Sequence, residues 1–291
     1  MINSRSIAIF FKGIAMGISD LIPGISGGTI ALLLGIYEEF IKSLKSINYK
    51  TVTYFFSLKI KKLSDQINLK FLLPVFCGII FAIFTFSNLI TFLLNYHRIL
   101  LFTFFFGLIL FSSLRIIYSI SIKNFYEFIS IIFGIFIGYA LSLISPFSNS
   151  SDFLSIYISG FIAVSAMLLP GISGSYILLI LGKYELILES VNSLRLDILS
   201  IFILGAISGV ILFSKLINWL LKKFFRTTIL LLSGLMLGAL NKVWPWQING
   251  LNYTPDNYSA ILNSNSLFFY SIIVLIITFI LSFLIKPLDR K

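Results

Sequence analysis

The run Pro23-Gly24-Ile25-Ser26-Gly27-Gly28-Thr29 recurs as Pro170-Gly171-Ile172-Ser173-Gly174-Ser175-Tyr176, each time inside an otherwise apolar stretch. Proline and glycine interrupt helices. Within a bilayer every backbone N–H and C=O must be satisfied by the protein, so a break at membrane depth is tolerated only where it is packed in protein or lines a watery cavity. The doubled break limits the folds open to this chain and is its leading candidate for a binding site.

That the breaks do lie at membrane depth follows from composition. Of 291 residues, 58% are hydrophobic and 11% charged, and the mean hydropathy is +1.02, too apolar for a soluble domain. Ten hydrophobic segments are read, near 5–22, 25–41, 71–94, 99–121, 126–146, 153–169, 172–189, 198–221, 227–246 and 267–285. Most approach the roughly 20 residues needed to span the bilayer as helix. The first is interrupted by Lys12 and Asp20 and lacks a small-residue cleavage site, so it is expected to stay in the mature protein. The lone Cys77 allows neither an internal disulfide nor a multi-cysteine metal site and reads as packing. The net charge of +11 comes from basic residues clustered between membrane segments, where they report orientation and not nucleic-acid binding.

Setting Pro23 over Pro170 makes 13 of the 26 positions from 13 to 38 identical, among them Gly35 with Gly182, Tyr37 with Tyr184 and Glu38 with Glu185. A weaker echo pairs Gly78 with Gly205, Ser87 with Ser214 and Gly107 with Gly234. The chain therefore divides into a first repeat, 1–150, and a second, 151–291. Each carries two short segments around a break and then three longer ones. Whether the short pair spans or turns back, each repeat crosses the membrane an odd number of times, so the second is inverted. The expected fold is an all-α polytopic membrane protein of two inverted-topology repeats, each with a re-entrant broken helical hairpin followed by three transmembrane helices.

Basic residues give the orientation. The lysine-rich 42–70 stretch, the loops at Lys123 and at Lys222, Lys223 and Arg226, and the C-terminal Lys286, Arg290 and Lys291 all fall on one side, while the 147–153 connection and the 247–266 loop carry no positive charge. By the positive-inside rule both termini are expected in the cytoplasm.

After each proline a new helix begins within the membrane, and a helix start favours an anion. Ser26, Gly27, Gly28 and Thr29 in the first break, and Ser173, Gly174 and Ser175 in the second, supply hydroxyls and close backbone approach for a phosphate or carboxylate. Pro23, Gly24, Gly35, Tyr37, Pro170, Gly171, Gly182 and Tyr184 form the structural frame. The competing reading is that these small residues only let helices pack. Lys12 and Asp20, matched by Ser159 and Met167 in the second repeat, are expected as a phosphate partner and a network member, making the first break the tighter cradle. Glu38 and Glu185 read either as interfacial helix ends or as proton-coupling groups. Lys183 would neutralise Glu185, and Arg115 would snorkel. No metal site or cofactor is expected, and a hydrolytic site is disfavoured because the only histidine, His97, lies away from both breaks.

The run Lys12-Gly13…Asp20-x-x-Pro23-Gly24-x-Ser26-Gly27-Gly28-Thr29…Gly35-x-Tyr37-Glu38, with its second copy from Pro170 to Tyr184, resembles the bacterial polyprenyl-phosphate transporter family (PopT-like) over the full length. The resemblance implies translocation of the lipid carrier undecaprenyl phosphate to the cytoplasmic leaflet of the bacterial inner membrane, with the lipid and the bilayer as partners. Its motif maps onto Ser26 to Thr29 and Ser173 to Ser175, with Ser175 and Tyr176 replacing the glycine and threonine of the first copy. Transport of a small soluble anion is the principal alternative, followed by a lipid-phosphate phosphatase or a structural membrane protein. If Glu38 or Glu185 couples transport to protons, an imposed pH gradient will change the rate and end point of uptake into liposomes; equal values with and without it remove the proton from the mechanism.

Overall fold

The computed structural model describes residues 4–144 and 152–284. The 147–153 connection, which carries no positive charge, lies outside them save its last two residues, as do the basic C-terminal residues from 286. The expected first repeat runs α1 (Ser4–Asp20), α2 (Gly27–Leu33), α3 (Tyr37–Lys45), α4 (Tyr49–Phe56), α5 (Ile60–Ile67), α6 (Leu69–Tyr96), α7 (Arg98–Ile120) and α8 (Phe125–Leu143). The second runs α9 (Phe153–Met167), α10 (Gly174–Ile180), α11 (Tyr184–Asn192), α12 (Leu196–Lys223), α13 (Phe225–Ala239), a 3-10 turn (Leu240–Val243), the two-residue strands β1 (Gln247–Ile248) and β2 (Leu251–Asn252), α14 (Pro255–Leu262) and α15 (Phe268–Leu284). The protein is all-α apart from the antiparallel pair β1–β2. Helices α6, α7, α8 and α12 are long and apolar enough to cross a membrane.

Two of the sequence segments prove to be broken. The apolar run 25–41 divides into α2 and α3, and 172–189 into α10 and α11, because Gly35 (φ +70°) and Gly182 (φ +63°) take left-handed conformations open to glycine. The seven residues of α2 and of α10 rise only about 10 Å, a third of the hydrocarbon core. Within the lysine-rich 42–70 stretch the chain forms α4 and α5, which hydropathy alone did not reveal.

Corresponding elements have corresponding lengths. Helices α2 and α10 have seven residues each, α3 and α11 nine, and α6 and α12 28. Gly78 and Gly205 are each the tenth residue of their helix. Their packing matches as well: Gly78 lies against the backbone of Phe10 and Ile14 on α1, and Gly205 against Tyr157 and Phe161 on α9. A Cβ at either glycine would run into a backbone carbonyl. The absence of side chains therefore sets how near the helices come.

The chain divides into two compact units. One comprises 1–32, 36–84 and 144–225 and so contains both breaks; the other comprises 33–35, 85–143 and 226–291. In the first, α9 packs on α12 and α10, and α3 of the first repeat packs on α12 of the second.

In the second unit, α7 packs on α15, and Gly134 and Gly138 of α8 meet Gly234 and Gly238 of α13 backbone to backbone. The buried Glu127 receives the Arg226 guanidinium at 2.8 Å and the Lys123 amide at 2.8 Å, joining the starts of α8 and α13. Arg115 donates to the Ser282 carbonyl and lies over the Phe283 ring, so it serves as a tie between α7 and α15. Replacing Gly78 or Gly205 by leucine forces these interfaces apart and is expected to cost about 1–3 kcal/mol, read as a lower unfolding temperature in detergent.

Candidate functional site

Both breaks belong to the first compact unit and have the same local form. Gly24 (φ +88°) and Gly171 (φ +90°) turn the chain after the proline. The Ile25 amide then donates to the Ile22 carbonyl at 3.2 Å, and the Ile172 amide to the Leu169 carbonyl at 3.3 Å. Helices α2 and α10 start two residues beyond these isoleucines.

The breaks are in contact, and the contact is one of side chain to backbone. Thr29 Oγ1 accepts from the Gly171 amide at 2.8 Å. Tyr37 donates its hydroxyl to the Leu168 carbonyl at 2.8 Å, and Ser26 donates to the Met167 carbonyl at 3.3 Å. Ser26, Thr29 and Tyr37 are each 1% exposed. Gly28 has no side chain for the same reason: its Cβ would stand 2.9 Å from the Met167 carbonyl oxygen. Thus the polar side chains of the first break satisfy backbone groups that the second break leaves open.

The two helix starts then differ. At α2 the Asp20 carboxylate accepts from the Gly27 amide at 2.6 Å, and Ser26 Oγ accepts from the Gly28 amide at 3.1 Å. The start of α2 is capped by the protein's own anion, and Gly27 is glycine because a Cβ would stand 2.6 Å from that carboxylate. At α10 the N-cap residue Ser173 makes no side-chain cap hydrogen bond. Met167 occupies the position equivalent to Asp20, with its side chain beside Gly174. Ser173 and Ser175 share a hydrogen bond of 2.8 Å; Ser173 is buried and Ser175 exposed. Tyr176 extends its hydroxyl to the Ile144 carbonyl at 3.1 Å.

The remaining expected residues are dispersed. Lys12 is half-buried on α1, eight residues or about 12 Å before Asp20 along the helix. Glu38 and Glu185 sit in the first turns of α3 and α11, the favourable end for a carboxylate; the first is half-buried and the second exposed. Lys183 is 1% exposed while its counterpart in the first repeat is Ile36. Pro23 is exposed and Pro170 buried. Tyr184, equivalent to Tyr37, is 40% exposed. The role of Asp20 as a cap was not visible in sequence, because its partner lies seven residues away across the turn.

Residues 16–261, which contain both breaks, match the model of the family described as VCA0040-like, undecaprenyl phosphate translocase-like. The chain belongs to this family. It is 39% identical over 241 residues, 83% of its own length and 78% of the relative's, to a protein of Vibrio cholerae serotype O1 named polyprenyl-phosphate transporter. A Staphylococcus aureus protein of the same name is 34% identical over 292 residues, 93% of each chain. No solved structure matches the chain. The family description and the relatives' names are those of transporters and not of enzymes.

Removing the Tyr37 hydroxyl strands the Leu168 carbonyl in a buried place. Tyr37→Phe is expected to destabilise the protein by about 1–3 kcal/mol, whereas Tyr184→Phe stays within about 0.5 kcal/mol, as measured by unfolding in detergent.

Proposed function

We propose that this protein carries a polyprenyl phosphate, undecaprenyl phosphate foremost, across the bacterial cytoplasmic membrane to the cytoplasmic leaflet. Membership of a translocase-like family and two relatives named polyprenyl-phosphate transporters support the substrate class. The single structural observation that carries the site is the unequal capping of the breaks. The α2 start already holds the Asp20 carboxylate, while the α10 start offers Ser173, which makes no cap hydrogen bond, Gly174 and the exposed Ser175.

On this reading the phosphate is received chiefly at the second break. Hydroxyls and amides at a helix start give charge-assisted hydrogen bonds to its oxygens. Ser26, Gly27, Gly28 and Thr29 hold that break in shape from behind, Asp20 keeps the first break closed, and Lys12 offsets the charge that gathers there. The isoprenoid tail stays in lipid. The repeats 1–150 and 151–291, inverted in topology, rock against each other to give alternating access, with α1–α2 and α9–α10 as re-entrant hairpins and both termini in the cytoplasm. Short helices of about 10 Å fit hairpins that enter and leave on one side. Glu38 and Glu185, at equivalent helix starts, are the groups through which protons would couple to the phosphate, whose second pKa lies near 6.

The test is uptake of labelled polyprenyl phosphate into liposomes containing the purified protein. The double change Ser173→Ala and Ser175→Ala is expected to weaken substrate binding on the order of tenfold or more, as loss of a hydrogen bond to a charged group implies. Inorganic phosphate in excess is expected not to compete. Unchanged uptake by the double variant rejects the site, and competition by inorganic phosphate identifies a carrier of small anions.

A further inference from the structure

Away from the breaks, α1 and the first half of α6 enclose an open groove of about 800 Å³, within the range of small-molecule sites. Its chemistry changes along its length. At one end, in the first turns of the two helices, are Arg5 and Lys70, with Glu39 and Asn68 beside them. Farther along are Phe10 of α1 and Leu73, Pro74 and Cys77 of α6. From Lys70 to Cys77 is seven residues, or about 10 Å of helix.

The polar end is constructed by long-range contacts. Arg5 holds both Glu39 oxygens, at 2.8 and 2.9 Å, and the Asn68 amide donates to Glu39 at 3.0 Å. This fixes the start of α1 to α3 and to the α5–α6 junction. Glu39 is thereby compensated, while the exposed Lys70 has no carboxylate within ion-pair distance among the described residues. The result is a net cationic mouth leading into an apolar channel. A soluble anion would gain nothing from the apolar walls, and an uncharged lipid nothing from the cations.

We propose that this groove is a second station for the transported lipid, with its phosphate at Lys70, beside the Arg5–Glu39 pair, and its first isoprene units against Phe10, Leu73 and Cys77. With Arg5 neutralised by Glu39, Lys70 supplies the uncompensated charge of the mouth, which suits an anionic lipid headgroup such as a phosphate monoester. Arg5 and Asp20 lie fifteen residues apart on α1, or about 22 Å, so the station is separate from the breaks. It is where the headgroup is taken up or let go on the side of the basic loops. The inference rests on the proposed substrate.

Cys77 is the only cysteine of the chain and reports occupancy directly. In liposomes containing the full-length protein, the rate at which a lipid-soluble maleimide alkylates Cys77 is measured with polyprenyl phosphate, polyprenol, phosphatidylglycerol or inorganic phosphate. Polyprenyl phosphate alone is expected to slow the reaction by about threefold or more, the value reached when its concentration is twice the dissociation constant. Lys70→Gln should abolish this protection, whereas the double serine change at the second break should lower transport and leave protection intact. Equal protection by phosphatidylglycerol or polyprenol, or protection that survives Lys70→Gln, overturns the station. Transport without protection removes the groove and leaves the proposed function standing; protection without transport does the reverse.

Discussion

A polypeptide that stops being helical in an apolar medium exposes donors and acceptors that water cannot reach, and each must find a partner. The protein meets this requirement by setting its two interruptions against each other. Ser26, Thr29 and Tyr37 serve Met167, Leu168 and Gly171, so the second break is held by the first. The relation is not mutual. The side chains of the first break are spent on this support, whereas Ser173 and Ser175 of the second bond to each other and the N-cap Ser173 makes no cap hydrogen bond at the start of α10.

Close helix packing underlies this arrangement. Gly13 and Gly17 against α6, Gly78 against α1, and Gly160, Gly205 and Gly209 between α9 and α12 bring backbone onto backbone where lipid gives no hydrophobic drive for helices to associate. In each repeat the helix that enters the break is clasped by the following long helix a few turns before the proline. Rigid approaches on both sides let contacts of 2.8 Å form between segments more than a hundred residues apart.

Much of the helix order was legible in the sequence because hydropathy and the proline-glycine punctuation are local signals. The divisions at Gly35 and Gly182 were not, since leucine and isoleucine continue on both sides and only the positive φ reveals the turn. Helices α4 and α5 were hidden by their charge. At the site, the serines and glycines stood out through repetition, but their division of labour did not. Asp20 read as a network member, but that its carboxylate would accept from the Gly27 amide at the start of α2 was not visible. Arg5 drew no notice near the chain start, and Glu39, 34 residues away, gave no spacing by which to pair them.

The pairing of Asp20 with Met167 bears on how such a chain could arise. A single-repeat ancestor associating with its own copy would have to place one sequence at both breaks, so either both helix starts would be capped by carboxylate or neither would. Joining two copies in one polypeptide removes that restriction. Substitutions at residue 20 and at residue 167 become independent choices for selection, so one helix start can hold a carboxylate while methionine stands at the equivalent position of the other.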